Sequence, residues 1–132
     1  MQTTKRRVLY LDEDEGRSFI LATRLRSENY DTVTTQYASD ALEMARSEPF
    51  DLYVLSRRFP LETGTYLCHK LSELSPKTPI IFFASSFDGA HGQEMVRSGA
   101  HEYFIEAGSF NELLAVMKYL PTEKNGMATG AS

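Results

Sequence analysis

The chain has 132 residues, a net charge of −4 and 42% hydrophobic residues, which suits one compact domain whose core needs no crosslinks. That composition excludes wholesale disorder, and the acidic balance offers no basic face for nucleic acid. No apolar run approaches the roughly 20 residues that span a bilayer, and a single cysteine permits no internal disulfide, so the expectation is a soluble protein of a reducing cytoplasm, with no nucleic acid and no membrane as partner.

The start, MQTTKRRVLYLDED, holds only a brief apolar run broken at once by acids, unlike a signal peptide. Lys5, Arg6 and Arg7 read as a solvated lead-in to a first strand over Val8–Leu11, closed by the acidic cluster Asp12, Glu13, Asp14 and Glu15. The following stretch, Arg17–Glu28, has apolar positions at Phe19, Ala22 and Leu25, with Leu21 four before Leu25, a helical spacing. The acids ahead of it lie where the helix dipole favours negative charge, so capping explains some of them. Tyr30–Thr35, rich in β-branched and aromatic residues, reads as an outer strand. Ser39 is placed as the N-cap of a helix over Asp40–Ser47 with Ala41, Leu42 and Ala45 inward, and Pro49 stops it.

The run LYVL, ended by Ser56, is short and apolar on both faces, which predicts a buried parallel strand. Arg57, Arg58, Pro60 and Gly64 form the loop after it, and Leu67, Leu71 and Leu74 mark the next helix. Cys68 on that helix reads as a small buried hydrophobe, and His69 has no second ligand at metal spacing. SPKTP is a loop, and IIFFA over Ile80–Ala84 is a second strand apolar on both faces. Gln93–Ser98 predicts a short fourth helix ended by Gly99, and Glu102–Ile105 a last strand. Ser109 and Glu112 form a capping box for a last helix with Leu113, Leu114, Val116, Met117 and Leu120, ended by Pro121. Residues 122–132 are polar and small, a flexible tail.

Strands alternating with helices in this way predict an α/β domain over residues 5–121: a three-layer α/β/α sandwich around a five-stranded parallel sheet of order 2-1-3-4-5. That order puts the switch point, and with it the expected site, at the ends of the first and third strands. Asp12, Glu13 and Ser56 sit there, with Ala84 and Glu106 at the rim. If the chain stays extended past Ser56, its two-residue period turns Arg58 toward the acids. Arg58, or Arg57 if the turn reverses the facing, is therefore expected to compensate their charge.

Over roughly residues 5–121 the chain resembles the receiver domain of bacterial two-component response regulators, a CheY-like member of the flavodoxin-like folds. VLYLDED looks like that family's first strand with its acidic pair, SDALEMA like its second helix, PFDLYVL like the approach to its phosphoacceptor, FPLETG like the loop after it, and SGAHEYFIE like its fifth strand. The resemblance implies phosphoryl transfer from a histidine kinase to an aspartate ending the third strand, with Mg²⁺ on the acidic pair, a hydroxyl after the fourth strand and a lysine after the fifth. Carried over position by position, Asp12 and Glu13 match the acidic pair, and Tyr103 matches the switch aromatic. The acceptor position is Ser56, the hydroxyl position Ala84 and the lysine position Glu106.

A carboxylate can attack phosphorus without a base and can ligate Mg²⁺, and a serine does neither readily. Phosphoryl transfer also needs positive charge near the equatorial oxygens, where Glu106 brings the opposite sign. The expectation is a pseudo-receiver: a single-domain regulator, not an enzyme, unphosphorylated and acting by protein contact. Its implied partners are a histidine kinase or another signalling protein, or a second copy through the face formed by the fourth helix, fifth strand and fifth helix. No cofactor is expected, with a weak Mg²⁺ remnant on Asp12 and Glu13 as the exception. Two alternatives stand beside it: an active Mg²⁺-dependent regulator with an unusual acceptor, and a metal or small-ligand module built on Asp12, Glu13 and Glu106.

Overall fold

The computed structural model describes residues 5–56, 61–84, 104–106 and 110–119. Strand β1 (Arg6–Leu11) leads into helix α1 (Glu15–Ser27), followed by β2 (Tyr30–Thr35), α2 (Ala38–Ser47), β3 (Leu52–Ser56), α3 (Leu61–Leu74), β4 (Ile80–Ala84), β5 (Phe104–Glu106) and α4 (Phe110–Tyr119). All strand pairs are parallel and the sheet order is β2-β1-β3-β4-β5, the predicted doubly wound arrangement. The expected fourth helix at 93–98 and the tail at 122–132 lie outside the described residues.

The sheet divides two cores, because successive strand side chains point to opposite faces. Leu9 and Leu11 of β1, Tyr53 and Leu55 of β3 and Ile80 and Phe82 of β4 meet Ala41 and Leu42 of α2 and Leu67, Cys68 and Leu71 of α3. Val8 and Tyr10, Leu52 and Val54, and Ile81 turn the other way, onto Leu21 and Leu25 of α1 and Phe110, Leu113 and Met117 of α4. The strands read as continuous apolar runs because both faces are covered. Cys68 is fully buried, and burial pushes its thiol up to about 12, so it behaves as the expected apolar filler.

Three local readings are corrected. The inward stripe of α1 is Ser18, Leu21, Ala22 and Leu25, and Phe19 is 69% exposed: the helix begins at Glu15, and its i, i+3, i+4, i+7 pattern starts one residue before the predicted one. Helix α2 begins at Ala38 after Tyr37, so Ser39 lies inside the first turn and does not cap it. The basic triplet is only partly a solvated lead-in. Lys5 is exposed, but Arg6 donates from Nη1 to the Met117 carbonyl at 3.0 Å. Arg7 reaches Asp31 from Nε at 3.1 Å and Glu48 from Nη1 at 2.7 Å, and its guanidinium lies 4.7 Å from the Phe50 ring centre. Its main chain exchanges bonds with Asp51, the N–H donating to Oδ2 and the carbonyl accepting from the Asp51 N–H, each at 2.8 Å. Asp51 therefore serves the edge of the sheet opposite Ser56.

Candidate functional site

Register fixes the site. Leu11 pairs with Leu55, so Asp12 and Ser56 are the next residues along two adjacent parallel strands. Ser56 in turn pairs with Phe83, one residue before Ala84, and Ala84 pairs with Glu106. The backbone thus brings Asp12, Ser56, Ala84 and Glu106 to one carboxyl edge of the sheet, as the topology predicted, with Ala84 and Glu106 one step beyond the row of Ser56. Ser56 is buried, and strand alternation places it on the face of Leu52 and Val54.

Asp12 is fully buried, which for a carboxylate demands partners at nearly every lone pair. It has them. The Tyr10 hydroxyl donates to Oδ2 at 2.5 Å, and Arg17 donates from Nε to the same oxygen at 2.9 Å. Oδ1 accepts from the Asp14 N–H at 2.9 Å and from Arg17 Nη2 at 3.3 Å. The guanidinium therefore grips the carboxylate with two nitrogens, the strong planar form of this ion pair. Hydrogen bonding to Asp12 holds the Arg17 pKa above its ordinary value, against the lowering effect of burial.

The local sequence explains why this geometry forms. Asp12 and Asp14 make an Asx-type turn, side-chain oxygen to the N–H two residues on. Asp14 is then the N-cap of α1, its Oδ1 accepting from the Arg17 N–H at 2.9 Å. The capped turn folds Arg17 back over the end of β1, where its Nη1 also lies 3.6 Å from Asp14 Oδ2. Tyr10 sits two residues before Asp12, on the same side of the strand. The Asp12 main-chain N–H donates to the Thr35 carbonyl at 3.1 Å, and Gln36 Nε2 to the Glu13 carbonyl at 3.2 Å, which ties this turn to the end of β2.

Neither Arg17 nor Tyr10 was anticipated as a site residue, while Arg57, Arg58 and Tyr103 lie outside the described residues. The described charge compensation of Asp12 comes from α1. Glu13, its neighbour in the acidic pair, is exposed. A divalent cation on this pair would need free carboxylate lone pairs on Asp12, and its four acceptor positions are already taken, so these residues do not fit such an ion. Among the described residues no three His, Cys, Asp or Glu side chains gather into a metal-holding group.

Burial, and then the hydrogen bond to Asp12, raises the Tyr10 pKa well above the ordinary phenol value. The folded state therefore keeps a proton that an unfolded tyrosine gives up near pH 10, and its stabilising effect is present below that pH and lost above it. Stability should fall above about pH 10, with Tyr10 contributing up to roughly 1.4 kcal/mol per pH unit. Urea unfolding at pH 9, 10 and 11 should show a shallower fall for Tyr10→Phe, and equal slopes would contradict the assignment.

Large apolar surface is exposed at Phe19, Ile20 and Tyr37, with Phe19 and Tyr37 on the walls of a groove of about 410 Å³ between α1 and α2. Glu15 and Asp40 also line it. Among the described residues no helix is long and apolar enough to cross a membrane.

Comparison with known proteins gives a consistent result. The model of the response regulator receiver domain matches residues 8–118. The transcriptional regulatory protein CutR of Streptomyces coelicolor is 30% identical over 114 residues, which are 86% of this chain and 52% of CutR. The chain thus spans about half the length of the curated relatives it matches. Among solved structures, the chemotaxis response regulator CheY4 of Vibrio cholerae superposes with a TM-score of 0.78 at 20% identity, covering 88% of this chain and 98% of that one. The beryllofluoride-activated NtrC4 receiver domain dimer superposes with a TM-score of 0.76 at 23% identity, covering 86% and 93%.

Proposed function

The chain belongs to the response regulator receiver family of two-component signalling, and from that premise we propose that it is a pseudo-receiver, which signals by protein contact and carries no aspartyl phosphate. The observation that carries this reading is Ser56, buried at the end of the central strand where the family's acceptor would stand. Its neighbour Asp12 is held by Arg17 and Tyr10, so the carboxylate beside it serves an internal ion pair. A serine needs a base to become a nucleophile, and among the described residues no histidine adjoins it. The domain performs no catalysis of its own on this reading, binds no cofactor and works in the cytoplasm of a bacterium.

A protein partner, a histidine kinase or another signalling component, accounts for the exposed Phe19 and Tyr37 on the walls of one groove, because soluble domains seldom leave large apolar side chains clustered without use. This surface differs from the face of fourth helix, fifth strand and fifth helix, most of which falls outside the described residues. Self-association through that face is part of the proposal; the NtrC4 receiver is a dimer, which supports self-association without naming the face.

Incubation with MgCl₂ and a small phosphodonor such as acetyl phosphate, followed by intact mass measurement, tests the reading. The mass is expected to stay unchanged. An adduct of one phosphoryl group mapping to Ser56 would establish instead a Mg²⁺-dependent regulator with an unusual acceptor.

A further inference from the structure

The receiver family pairs its fold with a divalent cation at the acidic edge, and Asp12 does not fit one. We propose that Arg17 is a built-in counter-cation: its guanidinium takes the place of a divalent ion on Asp12 and opposes the entry of metals there. The inference stands on the coordination of Asp12 and does not depend on which protein the domain contacts.

Asp12 can accept about four hydrogen bonds or metal bonds, two at each oxygen. Three are charge-assisted or strongly oriented: Arg17 Nε and the Tyr10 hydroxyl on Oδ2, and Asp14 N–H on Oδ1. Arg17 Nη2 fills the last position. A hard dication binds through oxygen lone pairs at about 2.0 to 2.6 Å, so it must displace one of these donors, and Arg17, which holds both oxygens and is the more exposed of the two side chains, is the one it meets first. The displaced guanidinium would then lie within a few ångströms of a doubly charged ion, and like charges that close repel strongly in a partly desolvated site. Entry is therefore opposed twice, by lost hydrogen bonds and by repulsion.

The arrangement is also geometrically committed. Arg17 is held from behind by its own main chain, whose N–H is bound to the Asp14 cap, so the side chain leaves α1 already aimed at the end of β1. Only about a third of it is exposed, and the pair needs no outside component to be complete. A domain with an internal cation stays in one electrostatic state whatever the concentration of free Mg²⁺, whereas a metal-dependent site follows it.

The test is Mn²⁺ binding, followed by electron paramagnetic resonance of free Mn²⁺ and by thermal melting, on the unmodified chain, Arg17→Gln and Asp12→Asn/Arg17→Gln. The unmodified chain is expected to leave the Mn²⁺ signal and the melting temperature unchanged up to about 10 mM, and Arg17→Gln to bind at least about tenfold more tightly. The double variant should lose that gain, which places the ion on Asp12. If Arg17→Gln does not fold, Arg17→Lys takes its place; it keeps the charge but gives up the two-pronged grip, and a gain of about threefold is expected. Binding by the unmodified chain as tight as by the variants, or no gain in a folded variant, overturns the proposal. Phosphodonor labelling reads the absence of an acceptor, and Mn²⁺ binding reads the blocked cation site, so the two readings fail separately.

Discussion

Arg17→Met is expected to lower the free energy of unfolding by about 3 kcal/mol at neutral pH, measured by urea denaturation. Methionine keeps the packing of the arginine stem, so the loss falls on charge. It leaves the fully buried Asp12 with the Tyr10 hydroxyl and one main-chain N–H but no cation among the described residues. Removing one partner of a buried pair is far more costly than removing both, because the survivor is stranded. The Arg17 side chain is 32% exposed, and water on its outer side screens part of the attraction, which puts the effect at the low end of the range for buried pairs, about 3 to 5 kcal/mol. In a double-mutant cycle with Asp12→Asn, the combined loss should fall short of the sum by about 2 kcal/mol. A loss below about 1 kcal/mol would mean that another cation, Arg57 or Arg58 as first anticipated, carries the compensation.

The second large effect concerns the acceptor position. Ser56→Asp restores the family's residue type, yet it is expected to destabilise the domain by about 3 kcal/mol at pH 7. The new carboxylate would be buried at the end of β3, one strand over from Asp12, with Arg17 already committed. The position where the family places its lysine, at the end of β5 two strands over, is Glu106. Burial and a like charge both favour the neutral acid, so the folded-state pKa of the introduced group rises above its unfolded value. A raised pKa gives stability below the unfolded value and takes it away above, so the deficit should shrink as pH falls from 7 toward about 4. Unfolding curves at pH 5 and pH 7 make the comparison. A variant as stable as the parent at pH 7 that also accepts a phosphoryl group would show that the edge still supports the ancestral chemistry.

The fold was legible because it rests on features the chain displays locally. LYVL and IIFFA are too short and too uniformly apolar for surface helices, and β2 and β4 fall on their predicted bounds. Site positions followed from topology once the strand order was drawn, since the register needs only the strand ends. Phase within a helix was less secure. Phe19 reads inward on hydrophobicity, but the cap at Asp14 fixes the start of α1 and turns Ser18 to the core instead. Arg17 was missed because no single periodicity links it to Asp12. The five-residue separation crosses a strand end, a turn and a helix start. The signal was present as Asp-x-Asp-x-x-Arg, an Asx-type turn feeding an N-cap, and Tyr10 was readable from the two-residue period of the strand.

The partition of the sheet into two cores has a consequence for how this domain conveys information. Tyr10 and Arg17, the side chains that grip Asp12, belong to the side of α1 and α4, where Arg24 of α1 lies 4.0 Å from the Phe110 ring centre and Lys118 lies 3.9 Å from Glu28. The opposite side, under α2 and α3, meets β1 through Leu9 and Leu11 and, at the other end of the strand, through Arg7 against Phe50. The acidic edge is therefore coupled most directly to the first turn of α1, through Arg17, and by hydrogen bonds to the end of β2 that leads into α2, whereas α3 lies across the sheet from it. On the proposed reading of a domain that signals by contact, a partner seated on α1 would lie one ion pair from the acidic edge, and one seated on α3 would lie across the sheet from it.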